Sequence, residues 1–268
     1  LKIIRFGTAT GDGCYGVLVE DTIHEDIIVK DTILEIEGDI FSDFRVLEDR
    51  AHPVQGKKIL PPVFPSKIVA VGINYRDHAE EFGHDIPEEP VLFMKPSTSV
   101  IGPSDAIIHP PGTKRVDYEA ELAVVVKKRA FRVIPEEAGG YILGYTCLND
   151  VTARDLQKKD GQWTRAKSFD TFCPIGPVIQ TEMDPDNARI YSRLNGETRQ
   201  SSSTSNFIFP VFRLFSYVSH VMTLLPGDIV TTGTPSGVGA MKPGDEIEIE
   251  IERIGVLRNY VTAGRAFG

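Results

Sequence analysis

The chain has 268 residues, 41% of them hydrophobic and 25% charged, and its 29 Lys and Arg against 38 Asp and Glu give a formal net charge of −9. That balance supports one large domain, or a domain with a small companion, and excludes wholesale disorder. It also argues against nucleic acid as a partner, since no basic run exceeds Lys127-Lys128-Arg129, and no stretch approaches the ~18 consecutive apolar residues of a membrane span.

The first sixty residues carry short β-prone runs, Lys2 to Phe6, Tyr15 to Val19 and Ile27 to Ile36, separated by Gly and Asp. Gly11, Gly13 and Gly16 spell G-x-G-x-x-G. A dinucleotide site needs a helix to open there, whereas Val17-Leu18-Val19 follows, so a glycine-rich hairpin is expected. The opening LKIIRFGTATGDG lacks the features of a secretory leader. The cysteines Cys14, Cys147 and Cys173 form no CxxC pair, so the expectation is a cytoplasmic protein with free, buried thiols.

Pro61, Pro62 and Pro65 read as a linker, placing a small β-rich N-terminal domain at 1–60 and the main domain at 61–268. Beyond them come strand candidates at Ile68 to Val71, Leu92 to Met94, Glu119 to Val126, Tyr141 to Leu148, Arg189 to Leu194, Asp228 to Thr232 and Ile247 to Ile251. Asn195-Gly196 fits a tight hairpin turn, and Pro-Gly-Asp triplets at 226–228 and 243–245 each introduce a strand. The clearest helix spans roughly Phe209 to Met222, with Val211, Leu214, Phe215, Val218 and Met222 on one face. Much strand with scattered helices and no regular alternation indicates an α+β fold rather than a doubly wound sheet. TGTPSGVG at 232–239 lacks a P-loop ending, and neither a G-x-S-x-G elbow nor an H-E-x-x-H pair occurs.

Three groups of residues carry chemistry. Within VDYEAELAVVV, a strand would project Glu119 and Glu121 to one face and Ala120, Leu122 and Val124 to the other. Paired carboxylates make sense around a hard cation, or else lie on an exposed strand face. Asp150 ends the apolar run YILGYTCLND before the helix-like ARDLQKKD, so it is either a third ligand or a helix N-cap. In NYRDHAEEFG, Asp77 and Glu80 resemble a capping box. His78 and Glu81, three apart, then share a face, either as a water-activating pair or as ordinary surface. In QWTRAKSFD, Lys167 either neutralises a developing enolate or is simply solvated.

Taken in order, VAVGINYRDHAEE, PVLFMKPST, DYEAELAVVV, GYTCLNDVTARDLQ, WTRAKSFDTFCPIGP, RLNGETRQ and MTLLPGDIVTTGTPSGVG strongly resemble the fumarylacetoacetate hydrolase family, from about Lys67 to Tyr260. The resemblance implies a mixed β-sandwich roll catalytic domain, a homodimer, and Mg²⁺ or Mn²⁺ held by Glu119, Glu121 and Asp150. It implies a water-activating dyad in His78 and Glu81, and oxyanion or water-orienting roles for Lys167 and Gln157. Arg154 and Thr234 match substrate-binding positions. Ile73 stands where the family often has arginine, which leaves no cationic substrate contact there. The partner implied is a small anionic oxo-acid. The activity expected first is hydrolysis of a C–C bond in a 1,3-diketo acid of the acylpyruvate type, giving pyruvate or a related oxo-acid. The alternatives are decarboxylation of oxaloacetate, or isomerisation of the 2-hydroxyhepta-2,4-diene-1,7-dioate type.

Overall fold

In a computed structural model, which describes residues 1–8, 11–20, 22–24, 27–29, 31–77 and 86–265, strands dominate and the fold is α+β. An 11-stranded mixed sheet runs from Phe44–Pro53 at one edge to Leu92–Lys95 at the other. Its middle consists of Lys2–Gly7, Cys173–Gln180, Ile142–Asn149, Ala120–Val126, Ile229–Thr231 and Ile68–Val71 in that order. A five-stranded sheet contains Ala106–His109, Gly255–Ala263, Glu246–Ile251, Arg189–Leu194 and Glu197–Ser203. Lys2–Gly7 pairs with Cys173–Gln180, so the N-terminal strands extend the same sheet that carries the central carboxylates. Pro61, Pro62 and Pro65 are buried, and Tyr15 donates its hydroxyl to the Pro62 carbonyl at 3.0 Å. No helix among the described residues is long and apolar enough to cross a membrane.

Local sequence explains most of these elements. The G-x-G-x-x-G run enters the strand Gly13–Val19, and Gly16 is tight against its neighbour. A Cβ there would lie 2.3 Å from Ile33 Cγ2 and 2.7 Å from the Leu34 carbonyl oxygen. Close strand packing, not phosphate binding, therefore accounts for that glycine. Asn195 and Gly196 take φ of 53° and 80°, the two positive values a tight primed turn requires, and join Arg189–Leu194 to Glu197–Ser203. Both Pro-Gly-Asp triplets precede strands, and the helix runs Val211–Val221 with Val211, Leu214, Phe215 and Val218 buried. The cysteines are unpaired, with Cys147 and Cys173 buried and Cys14 half-buried.

Several strands depart from the sequence reading, Ala106–His109, Phe44–Pro53, Gly255–Ala263 and Cys173–Gln180 among them. Phe44–Pro53 is mostly exposed and rich in charge, so apolar periodicity does not mark it. Gly255–Ala263 alternates cleanly but follows a turn that lacks a strong signal. Cys173–Gln180 contains Pro174 and Pro177, which normally demote a strand to an edge. Here it is central, with a register shift against Ile142–Asn149 that accommodates the missing donors.

The core meets on Ala120–Val126, every residue of which is buried. Leu122 and Val124 join a cluster with Ile190, Ile247, Ile249 and Leu257 from the five-stranded sheet. Ala123 and Val125 pack instead with Ile3, Ile68 and Ile229 on the opposite face. A strand covered on both sides holds its ends rigidly, and the acidic residues occupy its N-terminal end.

Candidate metal and substrate site

Glu119 and Glu121 lie on the Ala123/Val125 side of this strand, only 6% and 1% exposed. An exposed strand face is therefore not their explanation. Antiparallel register sets Ala120 opposite Asn149, so Asp150 arrives beside Glu119 and its N–H donates to the Glu119 carbonyl at 2.9 Å. Asn149 Oδ1 accepts from the Glu119 N–H at 3.0 Å and pins the same junction. The helix Arg154–Asp160 begins after Ala153 with no side-chain cap, which removes the N-cap reading of Asp150. One oxygen from each of Glu119, Glu121 and Asp150 falls within 4.8 Å of the others.

Two lysines compensate this charge. Lys167, 2% exposed, donates from Nζ to Glu119 Oε2 at 2.8 Å and to Asp150 Oδ2 at 2.6 Å. Burial alone would lower its pKa, but the Asp150 and Glu119 carboxylates outweigh burial and raise it, so it stays an ammonium. The third Lys167 proton is left for the cavity, where the Phe93 ring lies 5.0 Å from Nζ. Lys95, fully buried, donates to Asp150 Oδ1 at 2.6 Å, the Lys167 carbonyl at 2.6 Å and the Val151 carbonyl at 3.3 Å. All three of its protons are engaged, so it serves as a fixed counter-charge.

Arg154 spans the acidic cluster and the cavity wall. Its Nε donates to Asp117 Oδ2 at 2.9 Å and its NH1 to Gln157 Oε1 at 2.8 Å, while NH2 bonds Glu119. Asp117, fully buried, also takes Arg115 Nε at 2.8 Å. Burial would raise the Glu119 pKa, yet Lys167 and Arg154 prevail and hold it at about 2. Glu121 differs. It makes no ion pair among the described residues and accepts the Gly233 N–H at 3.1 Å. Burial, then Asp150 and Glu119, push its pKa well above the ordinary carboxylate value.

That asymmetry tests the fit of a cation. A buried carboxylate that makes no ion pair among the described residues converges with two others, and the donor set is entirely hard oxygen. Tyr75 Oη and Asn149 Nδ2 are also buried without a hydrogen-bond partner among the described residues. The residues present fit a divalent cation such as Mg²⁺ or Mn²⁺.

A cavity of about 340 Å³ opens beside the cluster. Glu119, Lys167, Arg154, Gln157 and Lys158 form its polar lining, and Val71, Ile73, Phe93 and Trp163 its apolar one. Trp163 lies edge-on to Phe93, their ring centres 5.3 Å apart, and leaves room only for glycine at position 72, where a Cβ would come within 2.9 Å of the indole.

Six residues anticipated from sequence, Glu119, Glu121, Asp150, Lys167, Arg154 and Gln157, thus come together. Thr234 does not line this cavity among the described residues; its hydroxyl accepts from Gln200 Nε2 at 2.8 Å, one residue beyond Gly233. His78 and Glu81 lie outside the described residues, while Asp77 accepts the Ser202 hydroxyl at 2.7 Å. Lys95, Asp117 and Gln200 escape the sequence reading. For Lys95 the signal existed, a lysine closing the otherwise apolar strand Leu92–Lys95.

The family model for the C-terminal region of fumarylacetoacetate (FAA) hydrolase matches residues 67–262. A protein of Archaeoglobus fulgidus is 59% identical over 225 residues, covering 84% of this chain and 88% of that one. The rat mitochondrial oxaloacetate tautomerase Fahd2a is 44% identical over 214 residues, covering 76% of this chain and 68% of its own. The crystal structure of a 2-hydroxyhepta-2,4-diene-1,7-dioate isomerase from Mycobacterium marinum superposes with a TM-score of 0.89 at 38% identity, covering 99% of this chain and all of the other. The chain belongs to the fumarylacetoacetate hydrolase family.

Proposed function

We propose that this family member is a divalent-cation-dependent enzyme that acts on a small anionic 2-oxo acid through its enol or enolate. The observation that carries the reading is the convergence of Glu119, Glu121 and Asp150 beside an ammonium, Lys167, whose remaining proton faces the cavity. When bound, Mg²⁺ or Mn²⁺ polarises the substrate carbonyl and stabilises charge on the enolate oxygen. Lys167 places a positive charge where that oxygen develops, held in position by two carboxylates before substrate arrives. Arg154 has three of its five protons committed, and the others remain to orient a carboxylate, with Gln157 fixing one edge of the guanidinium. The apolar wall of Phe93 and Trp163 limits water beside the reacting carbon.

Decarboxylation of an oxaloacetate-type acid, with CO₂ leaving as the enolate forms, needs no more than these parts; keto–enol interconversion needs in addition a base for the proton on the carbon beside the carbonyl. Similarity to a protein named oxaloacetate tautomerase and to a dienoate isomerase supports placing this chemistry ahead of hydrolysis. Hydrolysis of an acylpyruvate is the second reading, favoured by His78 and Glu81 at helical spacing in the sequence. In that reaction His78, oriented by Glu81, takes the proton of the attacking water, and Lys167 with Gln157 holds the oxyanion. The same reading includes a homodimer, checked by light scattering.

The test compares oxaloacetate enol decay, pyruvate release from oxaloacetate, and acetylpyruvate loss, each with Mn²⁺ and after chelation. Glu121→Gln is expected to abolish the metal-dependent part of every activity and metal binding by calorimetry. Undiminished turnover in that variant refutes the reading. His78→Ala is expected to remove only acetylpyruvate cleavage if hydrolysis is a genuine activity.

A further inference from the structure

Lys158 lines the cavity but has no part in the enolate chemistry. It stands in the helix Arg154–Asp160, four residues after Arg154. Residues so spaced share a helix face, so Arg154 and Lys158 reach the cavity from positions one turn apart, about 6 Å along the axis.

The other cations of the lining are already engaged. Lys167 donates to Glu119 and Asp150, and Arg154 to Asp117, Glu119 and Gln157. Lys158 differs, being exposed and making no hydrogen bond or ion pair among the described residues. A chain with a net charge of −9 thus turns an uncompensated ammonium towards the cavity. A lysine in the last turn of a helix also offsets the helix dipole, and Lys159 shares that role, but Lys159 is absent from the cavity lining.

Two places for a carboxylate follow. Beside the acidic cluster, the uncommitted protons of Arg154 meet the first, and the three bonds that fix the guanidinium keep it there. A second anionic group, one helical turn further on, meets Lys158. The apolar lining of Val71, Ile73, Phe93 and Trp163 suits the carbon chain that joins the two.

We propose that Lys158 is a specificity-determining residue whose ammonium receives the distal carboxylate of a dicarboxylic 2-oxo acid. The proposal rests on the reading of this cavity as an oxo-acid site, so the experiment separates the two. The probes are 2-oxoglutarate and 2-oxopentanoate, which share a chain length and an oxo-acid head and differ only in a terminal carboxylate or methyl. Oxalate serves as a short ligand with nothing beyond its chelating oxygens. Calorimetry measures the Kd of each with Mn²⁺ for the parent, Lys158→Met, Lys158→Arg and Lys159→Met.

The parent is expected to bind 2-oxoglutarate about three- to tenfold more tightly than 2-oxopentanoate, the range of an ion pair at a partly open site. Lys158→Met keeps most of the alkyl stem and should abolish that preference, leaving 2-oxopentanoate and oxalate within about twofold of the parent. Lys158→Arg should retain the preference, and so should Lys159→Met, which removes the same charge one residue outside the lining. In Lys158→Met the KM for oxaloacetate should rise by the same factor with kcat nearly unchanged, because the ammonium bears on binding and not on the reacting carbon. Failure of the parent to bind oxalate or either oxo-acid with Mn²⁺ overturns the oxo-acid reading and the proposal with it. Binding of oxalate with no preference between the two longer acids overturns the proposal alone. A preference that survives in Lys158→Met, or that Lys159→Met loses equally, assigns the effect to the general field of the helix and also overturns it.

Discussion

Replacing Lys95 by methionine tests the charge balance of the site most directly. The ammonium is fully buried and satisfies one Asp150 oxygen and two carbonyls, of Val151 and Lys167. Methionine nearly preserves the shape while removing the charge and all three donors. Breaking a buried ion pair from one side costs about 3–5 kcal/mol. Asp150 keeps Lys167 on its second oxygen, at 2.6 Å, so the lower end, about 3 kcal/mol, applies. With roughly 2–4 °C per kcal/mol for a domain of this size, the metal-free Tm should fall by about 6–12 °C. The variant removes one positive charge from the cluster and leaves Asp150 with Lys167 as its ion-pair partner among the described residues. A divalent cation offsets that loss, and the rise in Tm on adding Mn²⁺ should be larger in Lys95→Met than in the parent. Differential scanning calorimetry with chelator and with Mn²⁺ measures both quantities. A metal-free fall under about 2 °C, or a smaller Mn²⁺-induced rise than in the parent, would refute the assignment of Lys95 as a fixed counter-charge.

Two further outcomes are expected. Gly72→Ala introduces a Cβ within 2.9 Å of the indole of Trp163. Trp163 is the sole tryptophan, so its emission should change as the ring shifts, and kcat/KM should fall on the order of ten- to a hundredfold; an unaltered spectrum would show that the indole does not rest on that glycine. Asp228, fully buried, accepts from Ser66 N and Oγ at 3.0 and 2.6 Å, Lys67 N at 3.2 Å and Leu225 N at 2.8 Å, besides the Lys67 ammonium. Asp228→Ala should cost about 3–5 kcal/mol in denaturant unfolding, and a loss below about 1 kcal/mol would mean water replaces those bonds.

Much of the site was legible because strand periodicity is short-range. Glu119 and Glu121 two apart must share a face of any strand. The acid closing YILGYTCLND stands at the end of an apolar run whatever its neighbours are. Alternation could not say whether that face was wet, and for Lys167 the local polarity of QWTRAKSFD favoured solvent. In the fold, Lys167 is buried because two carboxylates from distant strands surround it. Lys95 and Gln200 stayed invisible for the same reason, since their partners lie 55 and 80 residues away at the nearest carboxylate and amide.

The sequence by itself determined the α+β character, the position of the main turns, the family and the set of acids, because each depends on local pattern or on motifs in order. The tertiary structure alone decided that Asp150 is not a helix cap, that two prolines sit in a central strand, and that Glu121 makes no ion pair among the described residues. Those outcomes depend on register between strands distant in the chain and on burial, which sets the cost of every unpaired charge.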